Sequence, residues 1–307
     1  MTTIAESSTM TGSTTVFRAS VWPLRYIRLE GNTWPARSGA ISNRPVLMLH
    51  GWLDNCLTFV KLAPELTGLA DIHAIDMAGH GHSGHRPAGQ NYLLADYVAD
   101  LAELVETWFC ETEDSQVTLI GHSLGGIVCA MYAAAFPERV RKLVMIDSIG
   151  AMSRGAEETI PQLRKAVLKR LAGSGRAVSY PDIETAARAR EGGLIPLSPE
   201  AALTLTRRNM SSASEGFVWR TDPRLRHPSL VMMVEEQVLA SLKAIKAPTL
   251  LIKAEKGLMA QHKSYLGKRV KVIEKLEVIQ VPGGHHCHLE GDPRPVAEAI
   301  NRFLADE

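Results

Sequence analysis

The sequence predicts an α/β fold: a mostly parallel central sheet flanked by helices and interrupted by an inserted helical cap. Three observations carry this. Six short apolar runs (Val46–His50, Ile72–Asp76, Val117–Gly121, Lys142–Asp147, Thr249–Ala254 and Leu276–Val281) are bracketed by Gly, Pro or Asp and alternate with longer helical stretches. These runs are almost continuously apolar, as strands buried on both faces of a parallel sheet should be. From Ile149 to about Val238 no such run occurs, only helical patterns punctuated by Gly173-Ser174-Gly175, Gly192-Gly193 and prolines. A segment that long is not a loop.

In chain order, residues 1–15 are Ser/Thr-rich and read as a loose tail. Arg25–Leu29 and Thr33–Arg37 about Gly31-Asn32 predict a hairpin. The core spans 16–148 and 240–307, and the cap 149–239. Between strands, Tyr92–Phe109 places Leu93, Tyr97, Leu101, Leu104, Val105 and Trp108 on one helical stripe. Pro293 opens a last helix with Val296, Ile300 and Leu304 on one face.

Composition excludes several classes. Of 307 residues 45% are hydrophobic and 22% charged, an ordinary globular balance. Lys plus Arg number 34 against 33 Asp plus Glu, so no global field favours nucleic acid. The four cysteines (Cys56, Cys110, Cys129, Cys287) form no C-x-x-C pair, which fits a reducing compartment. The N-terminus lacks a signal-peptide pattern, and the longest apolar run, Ile127–Phe136, is ten residues, too short to span a bilayer. The expectation is a soluble, cytoplasmic protein without a membrane span, its oligomeric state left open.

The chemistry concentrates in three turns. Residues 117–126 read V-T-L-I-G-H-S-L-G-G before an apolar helical run. Strand, G-x-S-x-G and helix together form the context of a nucleophile elbow, with Ser123 as nucleophile. Gly121 and Gly125 remove side chains where the strand doubles back. The backbone N–H of Leu124 opens the helix and can meet an oxyanion. A second oxyanion donor is the backbone N–H of Trp52, after the strand ending in His50-Gly51. The general base must follow the last strand in V-P-G-G-H-H-C-H-L-E: His285 is the choice and His286 the alternative, with His288 a structural histidine.

H-G-W-L-D-N at 50–55, I-D-M-A-G-H-G-H-S at 75–83, G-H-S-L-G-G at 121–126 and G-G-H-H-C-H-L-E at 283–290 occur in the order found in α/β-hydrolase-fold proteins. From about Arg25 to Ala305 the chain resembles that superfamily, closest to the serine-hydrolase-like subgroup near the haloalkane dehalogenase and epoxide hydrolase branch. Most relatives place the acid after the seventh strand, in a pattern like P-T-L-L-x-x-G-x-x-D. Here Gly257 stands where that aspartate is expected. Asp147, ending the sixth strand, takes the role by resemblance to haloalkane dehalogenases, with Glu255 as the alternative acid. A serine at the elbow argues against dehalogenase or epoxide hydrolase chemistry, since both need an aspartate there.

Other features have plainer readings. Asp76, His80 and His82 have zinc-ligand chemistry, but Gly-His-Gly-x-Ser is a common loop of the superfamily, and no metal is expected. Trp52, His122, Met152, Met210, Met232 and Met233 are candidate pocket residues, whereas Met131 and Met145 read as core. Arg207, Arg208 and Arg220 read as a solvated face and Cys287 as a small buried side chain. The expected function is a cofactor-free serine hydrolase of carboxylic esters, acting on a small acyl ester. Thioesterase, lactonase and carbon–carbon bond hydrolase share the constellation, and a non-catalytic binding protein is the alternative of a different class.

Overall fold

The computed structural model describes residues 7–10, 13–42, 44–261 and 263–305. Eight strands form one sheet: β1 (Arg18–Pro23), β2 (Arg28–Trp34), β3 (Val46–Leu49), β4 (Ile72–Asp76), β5 (Val117–His122), β6 (Val140–Ile146), β7 (Thr249–Lys256) and β8 (Leu276–Gly284). Their spatial order is β8-β7-β6-β5-β3-β4-β2-β1. Strands β3 to β8 pair in parallel, and β1 and β2 join antiparallel at one edge. The six apolar runs are thus all parallel strands: five begin where expected, Ile72–Asp76 matches at both ends, and the remaining ends shift by one to three residues.

Alternate residues of each run feed opposite faces, because successive side chains of a strand point to opposite sides. Val46, Met48, Ile72, Ile120, Ile146 and Ile252 pack with the final helix, α7 below. Leu47, Leu49, Ile75, Leu119, Met145 and Leu251 pack on the other face. That face is covered by α1 (Leu94–Trp108) and α2 (Leu124–Ala135). On α1, Tyr97, Leu101, Leu104 and Val105 are buried as the stripe requires. Trp108 is half-exposed and donates through Nε1 to the Pro23 carbonyl at 3.2 Å.

Between Ile146 and Thr249 lie α3 (Thr159–Ala172), α4 (Ile183–Glu191), α5 (Pro199–Asn209) and α6 (Glu235–Lys243). The chain closes with α7 (Arg294–Ala305), burying Val296, Ile300 and Leu304. The insertion is not purely helical. Ser179–Tyr180, Met210–Ala213 and Gly216–Trp219 form a three-stranded antiparallel sheet. Helix α6 packs on α2, and its Val238 and Leu242 are buried in the cluster on that face of the sheet.

Two further expectations change. The hairpin turns at Leu24–Ile27, where the Leu24 N–H donates to the Ile27 carbonyl at 2.8 Å, and β2 runs straight through Gly31-Asn32. Gly31 serves close approach rather than a turn, since a Cβ there would lie 2.0 Å from the Ala74 carbonyl oxygen on β4. In the expected tail, Ser7–Met10 pairs antiparallel with Ser13–Val16, a Thr-rich stretch suited to strand. Residues 1–6, 11 and 12 lie outside the described residues. Among the described residues no helix is long and apolar enough to cross a membrane.

Gly31→Val should therefore overpack the β2–β4 contact and lower unfolding free energy by about 1–3 kcal/mol. The midpoint in a urea titration reads this; an unchanged midpoint would contradict the close approach.

Candidate active site

Ser123 stands between the end of β5 and the first turn of α2, with φ 51° and ψ −115°. That region disfavours any residue but glycine, and the surroundings hold it there. The Ser123 N–H donates to the Ile146 carbonyl at 3.1 Å, and its own carbonyl accepts from Ser148 Oγ at 2.8 Å. A Cβ on Gly121 would lie 2.4 Å from Gly125 backbone, and one on Gly125 would lie 2.0 Å from the Leu49 carbonyl oxygen. The Gly125 N–H donates to the His50 carbonyl at 2.9 Å, which sets the His50–Trp52 turn against the start of α2. Among the described residues no backbone hydrogen bond uses the N–H of Trp52. The N–H of Leu124, first in α2, has no intrahelical acceptor. Both donors expected for an oxyanion therefore sit in adjoining turns.

The structure brings His285 and Asp147 together. His285 Nδ1 lies 2.7 Å from Asp147 Oδ2, both side chains being buried. With Nδ1 donating to the carboxylate, Nε2 is the ring nitrogen left to accept a proton. Asp147 adopts φ 44° and its carboxylate also accepts from the backbone N–H of Leu258 at 2.7 Å, of Ala254 at 3.3 Å and of Met259 at 3.4 Å. A Cβ on Gly257 would stand 2.3 Å from Asp147 Oδ2. The glycine thus clears the space that the Asp147 carboxylate fills. Glu255 is exposed, and it is Asp147 that meets the imidazole.

His286 is engaged elsewhere. Its Nε2 lies 2.9 Å from Asp54 Oδ2, while Arg190 Nη2 on α4 lies 3.0 Å from Asp54 Oδ1. His122 donates through Nε2 to the His285 carbonyl at 3.0 Å, and its ring centroid is 4.5 Å from that of His285. Fully buried, His122 supports the His285 loop from beneath and is no pocket wall. His288 is also buried, its Nε2 2.9 Å from Thr58 Oγ1, as a structural histidine should be. Sequence reasoning missed Asp54 and Arg190. Asp54 is in the H-G-W-L-D-N motif, whereas Arg190 is 136 residues away and carries no local signal.

Asp54, His122 and His286 place ligand-type atoms within 4.8 Å of one another. The Arg190 guanidinium already neutralises that carboxylate, so the group reads as a hydrogen-bond network. Asp76 is likewise occupied: it pairs with Arg208 Nε at 2.8 Å and accepts from the Cys56 and His82 N–H groups at 2.8 and 2.9 Å. Arg208 is therefore buried, not on a solvated face, because its guanidinium compensates an aspartate taken out of water. Arg207 and Arg220 are exposed. Of the expected pocket residues, Met152 is exposed, Met210 buried, and Met232, Met233 and Trp52 partly exposed. Cys287 is buried, and burial pushes its thiol up to about 12, unsuited to a nucleophile.

Burial also sets the charge state beneath the site. It would raise the Asp54 carboxyl, but His286 and Arg190 outweigh it and hold the group ionised. His50, His73, His80, His122 and His288 are all pushed below the ordinary 6.5, by burial first. They stay neutral in the fold but take up protons in the unfolded chain once the pH drops under that value. The unfolded state then binds more protons, so stability falls on acidification by up to about 1.4 kcal/mol per pH unit for each histidine. Calorimetry should show Tm dropping between pH 7 and 5, opposed in part by Asp100, whose carboxyl burial pushes up to about 6 so that it gains stability as the pH falls. A Tm flat over that interval would contradict the neutral cluster.

Comparison with known proteins identifies the fold family. Residues 44–292 match the α/β hydrolase fold family. A serine hydrolase-like protein of Danio rerio is 31% identical over 307 residues, covering 97% of this chain and 90% of that one. Serine hydrolase-like protein 2 of Homo sapiens is 28% identical over 284 residues, covering 87% of this chain and 88% of that one. The crystal structure of a hypothetical protein from Pseudomonas aeruginosa PAO1 superposes with a TM-score of 0.86 at 34% identity, covering 94% of this chain and 99% of that one. With the matched span running from the first parallel strand through the His285 loop, the chain belongs to the α/β hydrolase fold family.

Proposed function

We propose that this hydrolase cleaves a carboxylic ester through an acyl-enzyme on Ser123. The observation that carries the reading is the buried His285–Asp147 contact of 2.7 Å, together with a serine held at φ 51° on a strand-to-helix turn. His285 Nε2 takes the Ser123 proton as Oγ bonds to the acyl carbon, and the Trp52 and Leu124 N–H groups hold the oxyanion. The imidazolium then protonates the departing alcohol as the acyl C–O bond breaks. Water, deprotonated by the same nitrogen, releases the acid and restores Ser123. Asp147 keeps Nδ1 protonated and stabilises the imidazolium throughout. No step calls for a cofactor. The insertion acts as a cap over the serine and selects the acyl group, and the cytoplasm is the proposed location.

Initial rates on p-nitrophenyl esters from acetate to palmitate test this directly. Wild type should turn over part of the series, and Ser123→Ala none. Asp147→Asn should fold normally and lose roughly 10³–10⁴-fold in kcat, while Glu255→Gln stays near wild type. Full activity in Ser123→Ala would end the proposal; loss in Glu255→Gln with none in Asp147→Asn would reassign the acid.

A further inference from the structure

The turn that carries the Trp52 N–H is tied to the insertion at four successive residues. Trp52 Nε1 donates to the Leu225 carbonyl at 3.0 Å. The Leu53 carbonyl accepts from Asn209 Nδ2 at 3.2 Å. Asp54 Oδ1 pairs with Arg190 Nη2 at 3.0 Å, and Asn55 Nδ2 donates to the Leu205 carbonyl at 2.8 Å. The partners come from three separate parts of the insertion: α4, α5 and the turn at Pro223–Arg226. Asp54 and Asn55 are almost wholly buried under them.

Leu53 lies at φ 63°, a left-handed conformation that leucine rarely adopts. The strained turn thus sits at the point where the insertion grips it. A lid that swings aside would have to break these bonds and leave buried polar groups unpaired, the costliest way to open. From this we propose that the insertion is a fixed buttress that aims the Trp52 N–H, with Asn209 as a positioning residue for the oxyanion donor. The inference rests on reading Ser123 as the nucleophile and the Trp52 N–H as a donor. Asn209 touches no reacting atom. It acts by holding Leu53 left-handed, which fixes the preceding peptide planes and with them the direction of the N–H. Oxyanion donors stabilise charge that develops only in the transition state, so misaiming one lowers kcat and leaves ground-state binding alone.

The test compares wild type, Asn209→Ala and Asn209→Ala with Leu53→Gly. It measures kcat and KM on the best p-nitrophenyl ester, the rate of fluorophosphonate labelling of Ser123, and Tm. Asn209→Ala should lose about tenfold in kcat and in labelling rate with KM unchanged, less than the 10²–10³ of deleting a donor outright. Adding Leu53→Gly should recover part of the loss, because glycine takes the left-handed conformation without strain. A purely structural role would move Tm and not respond to the glycine. Unchanged kcat in folded Asn209→Ala, a rise in KM alone, or no recovery with glycine would each overturn the proposal.

Trp52→Phe, which keeps the backbone donor and loses the Leu225 bond, serves if Asn209→Ala does not fold, with a smaller kcat loss expected and an unchanged kcat counting against the buttress. Should wild-type Ser123 resist labelling, the hydrolase reading of the site fails first. Hydrogen exchange then decides the grip itself. Faster exchange of the Asp54 and Leu57 amides in whichever variant folds supports it, and unchanged exchange removes it.

Discussion

Helix α2 starts where it does because Gly125 lets it press on the end of β3, with the Leu49 carbonyl oxygen only 2.0 Å from where a Cβ would be. No other residue permits that contact. From it follows the adjacency of two chain segments far apart in sequence, the turn after β3 and the turn after β5. The Gly125 N–H to His50 hydrogen bond seals them, and the Ser123 N–H is fixed on its other side to the Ile146 carbonyl of β6. Strain at Ser123 is sustained because His122, Ile146 and Ser148 around it are buried and leave it little room to relax.

The same economy of space explains the acid. Strands β6 and β7 are parallel neighbours in register at Ile146 and Ile252, and the Asp147 N–H donates to the Ile252 carbonyl at 2.7 Å. A carboxylate leaving the end of β6 therefore enters the volume beyond the end of β7. An aspartate at 257 and one at 147 would compete for that volume, and two carboxylates so close could not both stay ionised. Glycine at 257 removes the competitor and, with Leu258 and Met259, turns backbone N–H groups toward the one that remains. The absence of an acid at 257, just after β7, is the steric condition for the one at 147, just after β6.

Much of this was legible in the sequence because it leaves local marks. Strands covered on both faces must be apolar almost throughout, so all six parallel strands were visible. The elbow and the His285 loop were visible because glycines cluster where backbone approaches backbone. Gly31 left the same mark and was misread, since a glycine before an asparagine in a strand resembles a hairpin turn. The small sheet of the insertion left none: its strands are two to four residues long, partly exposed, and include Met210-Ser211-Ser212-Ala213, with no apolar alternation. The pairs Asp54–Arg190 and Asp76–Arg208, each on a buried aspartate, were invisible for another reason. Each joins residues more than a hundred positions apart, and an arginine on a helix looks the same whether it faces water or a carboxylate.

The histidines around His285 raise an electrostatic problem that the fold resolves. The ring centroids of His285 and His286 lie 4.5 and 4.8 Å from that of His122, and His288 lies 4.3 Å from it. If His122 or His288 shared a proton equilibrium with His285, a positive charge on one would repel another, and the imidazolium required by the proposed acyl transfer would be destabilised. Burial prevents this by holding His122 and His288 neutral well below the ordinary imidazole range. The carboxylate nearest the cluster on the far side, Asp54, is balanced by Arg190 and His286 and adds little net field. The charge that meets His285 directly is then the one on Asp147. Asp147 is thus the carboxylate in direct contact with His285, while His122 and His288, held neutral by burial, provide packing and hydrogen bonds.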